Sequence, residues 1–342
     1  MMSNLRKRLN RVNFQDVIPF VAFIVIFTFF AIMSYDDRTS TIRMLTRFNL
    51  TNLLDQSILV VVAGSGMIFV VAQGSIDLSV GVNLAISGVV ATWVYHLTGL
   101  VWILIPTAML VGLLVGAFNG FIVSRFKVPS FMLTIAMLIA MRGIVDFIQS
   151  HIGNQRIPES LRFLNDQSVK ITIFIVVVLI MAYVFEFTKA GKYSKAIGEN
   201  ETAAKSVGIP VARMKLLAFA LSGLMAGVAA VFSLVTFAST SQQMGVFLEM
   251  RTIMAIFLGG VLITGGSSAK SYKVILGSLS ITMIINGLAM IGRPEPHISQ
   301  AVQGLLLLLI LIISVFAGKK TGRFKDVESL KPKEEDTKEE TQ

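Results

Sequence analysis

Long runs of Leu, Ile, Val, Phe and Ala recur along this chain, each ended by a short polar or Gly/Pro-containing break. Ten runs stand out, at about 17–34, 52–72, 79–97, 100–123, 129–148, 169–187, 214–237, 248–264, 273–291 and 298–317. Each is near the ~20 apolar residues that carry one helix across a bilayer. None shows the short strict alternation of an outer-membrane barrel strand. The pattern predicts an all-α fold, a polytopic transmembrane bundle of about ten helices. A basic N-terminus (1–16) precedes a transmembrane domain (17–317), and a polar tail (318–342) follows.

The 342 residues are 54% hydrophobic and only 15% charged, with a mean hydropathy of +0.75. Such a composition excludes a water-soluble enzyme and a large extramembrane domain. There is no cysteine, so disulfides, thiolate metal sites and cysteine nucleophiles are excluded. The formal net charge of +10 would suggest nucleic acid in a soluble chain, but in a membrane protein its distribution over the loops decides, and no nucleic-acid partner is expected. With the N-terminus inside, most Lys and Arg fall on inner segments: Arg6, Lys7, Arg8, Arg11, Arg125, Lys127, the 189–215 stretch, Lys270, Lys273 and the tail. That asymmetry places both termini in the cytoplasm. The first run lacks a small-residue cleavage site, so it reads as an uncleaved span rather than a signal peptide. Trp93 and Trp102 flank a short turn and mark one membrane surface. The tail alternates Lys with Glu and Asp without apolar periodicity and reads as disordered.

Two breaks carry information. The first, Ala72-Gln73-Gly74-Ser75-Ile76-Asp77-Leu78-Ser79-Val80-Gly81, places Asp77 or Ser79 to cap the next helix. It reads either as a broken helix lining a transport cavity, where freed backbone meets a polar solute, or as a tight cytoplasmic turn. The second is the longest inner loop, Thr188 to Ala212, in which Glu199 to Val207 is helix-compatible and Gly208 and Pro210 supply a stop. This segment reads either as a docking element for a soluble partner or as an amphipathic connector held at the headgroups by Lys192, Lys195 and Lys205.

The stretch Gly198-Glu199-Asn200-Glu201-Thr202-Ala203-Ala204-Lys205-Ser206-Val207-Gly208-Ile209 resembles the G-x-N-x-x-A-A-x-x-x-G-I signature of ribose-type ABC importer permeases. Gly74 to Gly81 resembles the same family's G-x-I-D-L-S-V-G, with Leu258-Gly259-Gly260 and Gly265-Gly266 behind them. The resemblance covers roughly residues 50–317. It implies the pore subunit of a bacterial inner-membrane importer of a monosaccharide or related polyol. Implied partners are a cytoplasmic ABC ATPase, an extracytoplasmic sugar-binding protein and a second permease chain, identical or not. ATP and Mg would be bound by the ATPase, and this chain would hold no cofactor and catalyse nothing. Gly198, Glu199, Asn200, Ala203, Ala204 and Gly208 would belong to the helix that fits a groove on that ATPase. Gly265-Gly266 runs into Ser267-Ser268-Ala269-Lys270, where family members commonly continue with glycines, which implies altered close helix approach.

Polar residues inside spans are the remaining candidates, because charge in hydrocarbon is costly. Gln73, Asp77, Ser79, Asn83, Asn119 and Asn286 are candidates for the solute pathway; hydrogen bonding between packed helices is the competing reading for the three asparagines. Asp55 and Gln56 lie near the outer end of the second run, and Glu249 and Arg251 enter the eighth. Arg142 and Asp146 share a helix face at i and i+4; an intramembrane ion pair that neutralises two buried charges is the expectation, and a rim of the substrate vestibule or a strut fixing the gate is the competing reading. His96, His151 and His297 map to the outer side and read as interfacial polar residues rather than metal ligands. The methionines read as core packing. No P-loop, H-E-x-x-H or G-x-S-x-G motif occurs, which disfavours an intramembrane enzyme. A secondary transporter or channel is the alternative, with Asp77 as its one mid-chain carboxylate.

Overall fold

The computed structural model describes residues 14–37 and 40–291, with isolated positions between 301 and 312. Most of the basic N-terminus, His297, most of the run at 298–317 and the tail lie outside the described residues. Helix α1 spans Phe14–Met33, and a two-residue antiparallel pair, β1 Tyr35–Asp36 with β2 Thr41–Ile42, follows it. Then come α2 Arg47–Ala72, α3 Val80–Thr98, α4 Leu104–Phe126, α5 Ser130–Ile152 and α6 Gln167–Phe187. Two short helices, α7 Lys189–Glu199 and α8 Glu201–Ser206, precede α9 Val211–Phe237, α10 Leu248–Leu258 and α11 Ser271–Ile291.

Seven of these are long and apolar enough to cross a membrane among the described residues: α2, α3, α4 with the turn before it, α5, α6, α9 and α11. The all-α polytopic bundle is therefore as expected, but the ten runs do not all become spanning helices. The run at 248–264 yields only the 11 residues of α10, which rise about 16 Å, half the hydrocarbon thickness. Gly259 and Gly260 end it, and Gly260 (φ +80°) and Gly265 (φ +73°) turn the chain through the left-handed region. Hydropathy does not register that turn, because glycine interrupts a helix without interrupting an apolar run.

Helices α2, α3 and α9 are the most buried and form the centre, while α4, α5 and α6 expose most of their apolar length. In lipid, helices associate through close packing more than through hydrophobicity. Gly112, Gly116 and Gly120 on α4 accordingly meet Leu216, Phe219, Gly223 and Gly227 on α9, backbone against backbone. A side chain at Gly223 would run into the Gly112 carbonyl and the backbone of Gly116. Gly223→Val is expected to destabilise the bundle by about 3 kcal/mol or more, since overpacking a dense contact typically costs 1–3 kcal/mol and here backbone itself must move. Thermal unfolding in detergent checks this.

The outer end of the bundle is tied by an ion pair. Lys170 Nζ lies 2.6 Å from Asp55 Oδ1 and donates to Asn165 Oδ1 at 3.0 Å, with the Lys170 side chain only 3% exposed. Asp55→Ala leaves a buried ammonium without its carboxylate and is expected to cost about 3–5 kcal/mol. Adding Lys170→Met to that variant is expected to recover most of the loss in the same melting experiment.

Candidate functional site

The first break is held at depth from both sides. Gln73 caps the C-terminus of α2 and its Nε2 donates to Ser194 Oγ (2.9 Å) and to the Met214 carbonyl (3.0 Å). The Ile76 amide donates to Ser130 Oγ at 3.1 Å. Asp77 is buried: its Oδ1 accepts from the Ser79 amide (2.9 Å) and hydroxyl (2.6 Å), and its Oδ2 accepts from Ser222 Oγ at 2.9 Å. Met214 and Ser222 are both on α9, separated along its axis by roughly 12 Å at 1.5 Å per residue. The segment from Gln73 to Asp77 thus climbs into the bundle, and α3 begins inside it. It is an extended break packed against α9 rather than a turn closed on itself. Of the two expected caps, Ser79 makes no side-chain bond to α3, while Asp77 Oδ1 takes the amide of Ser79 two residues on, a bond of the capping kind just ahead of the helix. Asp77 thus folds its carboxylate onto Ser79 and fastens the break to α9.

Three asparagines were candidates for the pathway, and all join helices. Asn119 Nδ2 donates to Ser79 Oγ (2.9 Å), and Asn83 Nδ2 donates to the Gly112 carbonyl (3.1 Å). Asn286 and Gln56 exchange amide hydrogen bonds of 3.0 and 3.1 Å between α11 and α2. Asn83 and Asn119 are fully enclosed, whereas the partner of Asn286, Gln56, lines a cavity.

A second discontinuity descends from the opposite side. After α9 the chain is pinned beside residues 155–157: Ile157 N donates to the Ala238 carbonyl and Thr240 N to the Gln155 carbonyl. It then dips until Gly245 (φ +71°) rests on the backbone of Gly81. Gly81 lies roughly 25 Å below Thr98, the outer end of α3, so α10 starts deep in the bundle. Arg142 on α5 supports this dip, its Nη1 donating to the carbonyls of Gln242 (3.3 Å) and Met244 (3.1 Å). The ion pair expected between Arg142 and Asp146 is not formed among the described residues. Asp146 stays exposed, because the loop carbonyls give the guanidinium better-placed acceptors. Glu249, in the first turn of α10, is buried against Gly81 and within electrostatic reach of Arg142 and Arg251.

The two discontinuities divide two hollows. A cavity of about 620 Å³, called outer for the side the Lys and Arg distribution predicts, is lined by Gln56, Ser233, Ser239, Ser241, Gln243 and Arg251, among others, with Leu84 and Gly245 at its inner end. At the opposite end, called cytoplasmic on the same ground, a cleft of about 870 Å³ is lined by Gly74, Ser75, Ile76, Lys127, Lys205 and Arg213, among others. The chain from Asp77 to Gly81 lies between the residues that line the two.

The loop between α6 and α9 holds both discontinuities together. Helix α7, which the sequence did not reveal as separate, starts at a Thr188 cap and ends at Asn200, whose side chain accepts from Ala203 N (2.9 Å) to cap α8. Gly208 (φ +85°) closes α8 as expected, and Ile209 N donates to the Ala204 carbonyl. Ala204 is buried beneath α8 and Ala203 is exposed. Gly198 packs on the Ala72 carbonyl, where α2 ends, and on the Gly266 amide. Glu199 Oε1 accepts from Ser267 N at 2.7 Å. Farther up α7, Lys195 pairs with Glu186 at 2.6 Å, and Glu186 Oε1 accepts from Ser271 N at 2.8 Å. One short helix therefore touches the foot of the first break and the turn after α10 directly, and reaches the start of α11 through Glu186 at the end of α6. His96 and His151 bond to backbone carbonyls of Arg156 and Phe147.

Comparison with known proteins matches residues 49–311 to the family described as "Branched-chain amino acid transport system / permease component". The chain is 27% identical over 274 residues to the ribose import permease protein of Escherichia coli (strain K12), covering 78% of this chain and 85% of that one. It is 32% identical over 274 residues to the L-arabinose ABC transporter permease protein of Azospirillum brasilense (78% and 80% covered). It is 28% identical over 271 residues to the galactofuranose transporter permease protein of Escherichia coli (strain K12) (77% and 78% covered). No solved structure matches.

Proposed function

Because this chain belongs to that permease family, with monosaccharide ABC permeases among its relatives, and is a multi-pass inner-membrane transport protein, we propose that it moves a monosaccharide or related polyol, driven by an ATPase that grips α7 and α8. The ATPase binds the ATP and Mg; a binding protein delivers the solute from outside; a second permease chain completes the pore. The observation that carries this reading is the position of α7. Gly198 and Glu199 touch the end of α2 and the 265–268 turn at once, so displacing the loop displaces both discontinuities. Asn200, Ala203, Ala204 and Gly208 give α8 its shape and its outward face. Nucleotide-driven movement of that face becomes a change in which hollow is open.

Gln73, Asp77, Ser79 and Asn119 act in this scheme as the latch between the two hollows, with Asn83 and Asn286 fastening the helices beside it. A pathway for a neutral sugar needs hydroxyl and amide partners that release it readily, and the outer cavity offers them in Ser239, Ser241 and Gln243. The test is to capture the tagged chain in lipid and measure ATP hydrolysis by what co-purifies, with its binding protein loaded in turn with ribose, arabinose, galactose, inositol, gluconate or galacturonate. Stimulation by a loaded form is expected. Uptake driven by a sodium or proton gradient, with no associated ATPase, would overturn the reading in favour of a secondary transporter.

A further inference from the structure

The outer cavity contains one feature that passage of a neutral sugar does not require. Arg251, one turn into α10, lines it deep in the bundle, where an arginine is costly unless something answers its charge. Its Nε is buried and has no acceptor among the described residues. Among the described residues no carboxylate lines the cavity with it: the other polar residues there are Gln56, Ser233, Ser239, Ser241 and Gln243. The surrounding charges do not cancel. Glu249 lies against Gly81, outside the cavity lining, and is attracted by both Arg142 and Arg251. Among the described residues, the one carboxylate of Glu249 thus answers to two guanidinium groups, those of Arg142 and Arg251. The result is a cavity with an electropositive inner end and hydroxyl and amide groups toward its mouth.

That polarity selects a solute that is itself polarised, with an anionic group at one end and hydroxyls at the other. We infer that the outer cavity is a solute subsite anchored by Arg251 and that the cargo is a sugar acid, an aldonate or uronate, rather than a neutral monosaccharide. The inference rests on the importer reading above and refines its substrate class. A guanidinium presents donors that match a carboxylate in two-point fashion, and the hydroxyls of the cargo then face Ser239, Ser241 and Gln243. The cavity volume of about 620 Å³ is in the range of small-molecule sites.

The experiment reconstitutes the chain with its ATPase and binding protein in liposomes and measures ATP-driven uptake of D-galacturonate, D-gluconate, D-galactose, D-ribose and L-arabinose. Arg251→Gln and Arg251→Lys are compared with the natural chain, and melting temperature and basal ATPase activity are recorded for each. The expected result is preferred uptake of a sugar acid, reduced by about 10-fold or more in Arg251→Gln, the scale of one charge-assisted contact, with partial rescue in Arg251→Lys. The ratio of acid to neutral-sugar uptake should fall in Arg251→Gln. Three outcomes overturn the inference while leaving the importer reading intact: ATP-driven uptake of a neutral sugar in preference to both acids, acid uptake indifferent to Arg251, or an equal fall for every solute together with a lowered melting temperature. The last would mean that Arg251 only balances Glu249. Absence of ATP-driven uptake of every sugar in the set fails the importer reading itself, and the inference with it.

Discussion

Gly198→Val is expected to abolish coupling between the ATPase and solute movement while leaving the chain inserted in the membrane. The valine would run into the Ala72 carbonyl and the Gly266 amide, neither of which is the end of a flexible side chain. Helix α7 must then lift away from the foot of the first break. The Glu199 bond to Ser267 and the Gln73 bond to Ser194, at 2.7 and 2.9 Å, would lengthen with it. Coupling free energies of 1–3 kcal/mol correspond to about 5- to 150-fold, so solute-stimulated ATP hydrolysis and uptake should fall by about 10-fold or more. Glu199→Ala, which removes one of these contacts without adding bulk, should give a smaller loss of the same kind. Measuring both activities beside membrane content of the chain separates uncoupling from misfolding, and normal uptake in both variants would remove α7 from the coupling role.

The second large effect is expected at Gly81. A side chain there would meet the Gly245 carbonyl and the Glu249 carboxylate, the contact at which the two discontinuities close on each other. Gly81→Val should therefore cut ATP-driven uptake by about 10-fold or more, since backbone has to move where packing is dense. Because α7 and α8 do not touch Gly81, capture of the ATPase by the variant should be unchanged. A variant that loses both uptake and ATPase capture would place Gly81 in the stability of the whole bundle instead of in the seal.

What the sequence disclosed follows from which interactions are local. Run length and the inner excess of Lys and Arg are local, and they were enough for an all-α membrane bundle. The stop at Gly208 was visible for the same reason. Helix α10 was overestimated because Gly259-Gly260 sit inside an apolar run, with Gly265-Gly266 just past its end; the signal that could have found the interruption was the positive φ that Gly260, Gly265 and Gly266 adopt. Arg142 and Asp146 share a face, but carbonyls from residues 242 and 244, about a hundred positions away, outcompete the local partner. The same applies to Asp77, whose acceptor role toward Ser222 links positions 145 residues apart, and to Lys170 with Asp55. The packing of α4 on α9 was legible in principle, as glycines recur every four residues at 112, 116 and 120 and at 223 and 227.

The central claim is that nucleotide on a partner ATPase switches which of the two hollows is open. The chain contains no cysteine, so single cysteines can be placed without removing others. Ser241→Cys reports from the outer cavity and Ser75→Cys from the cytoplasmic cleft. The measurement is the maleimide reactivity of each in the assembled, lipid-reconstituted transporter, without nucleotide and after trapping with ATP and vanadate. Opposite changes at the two positions, lost when Gly198→Val is added, are the expected result. Reactivity independent of nucleotide at both positions would contradict the claim.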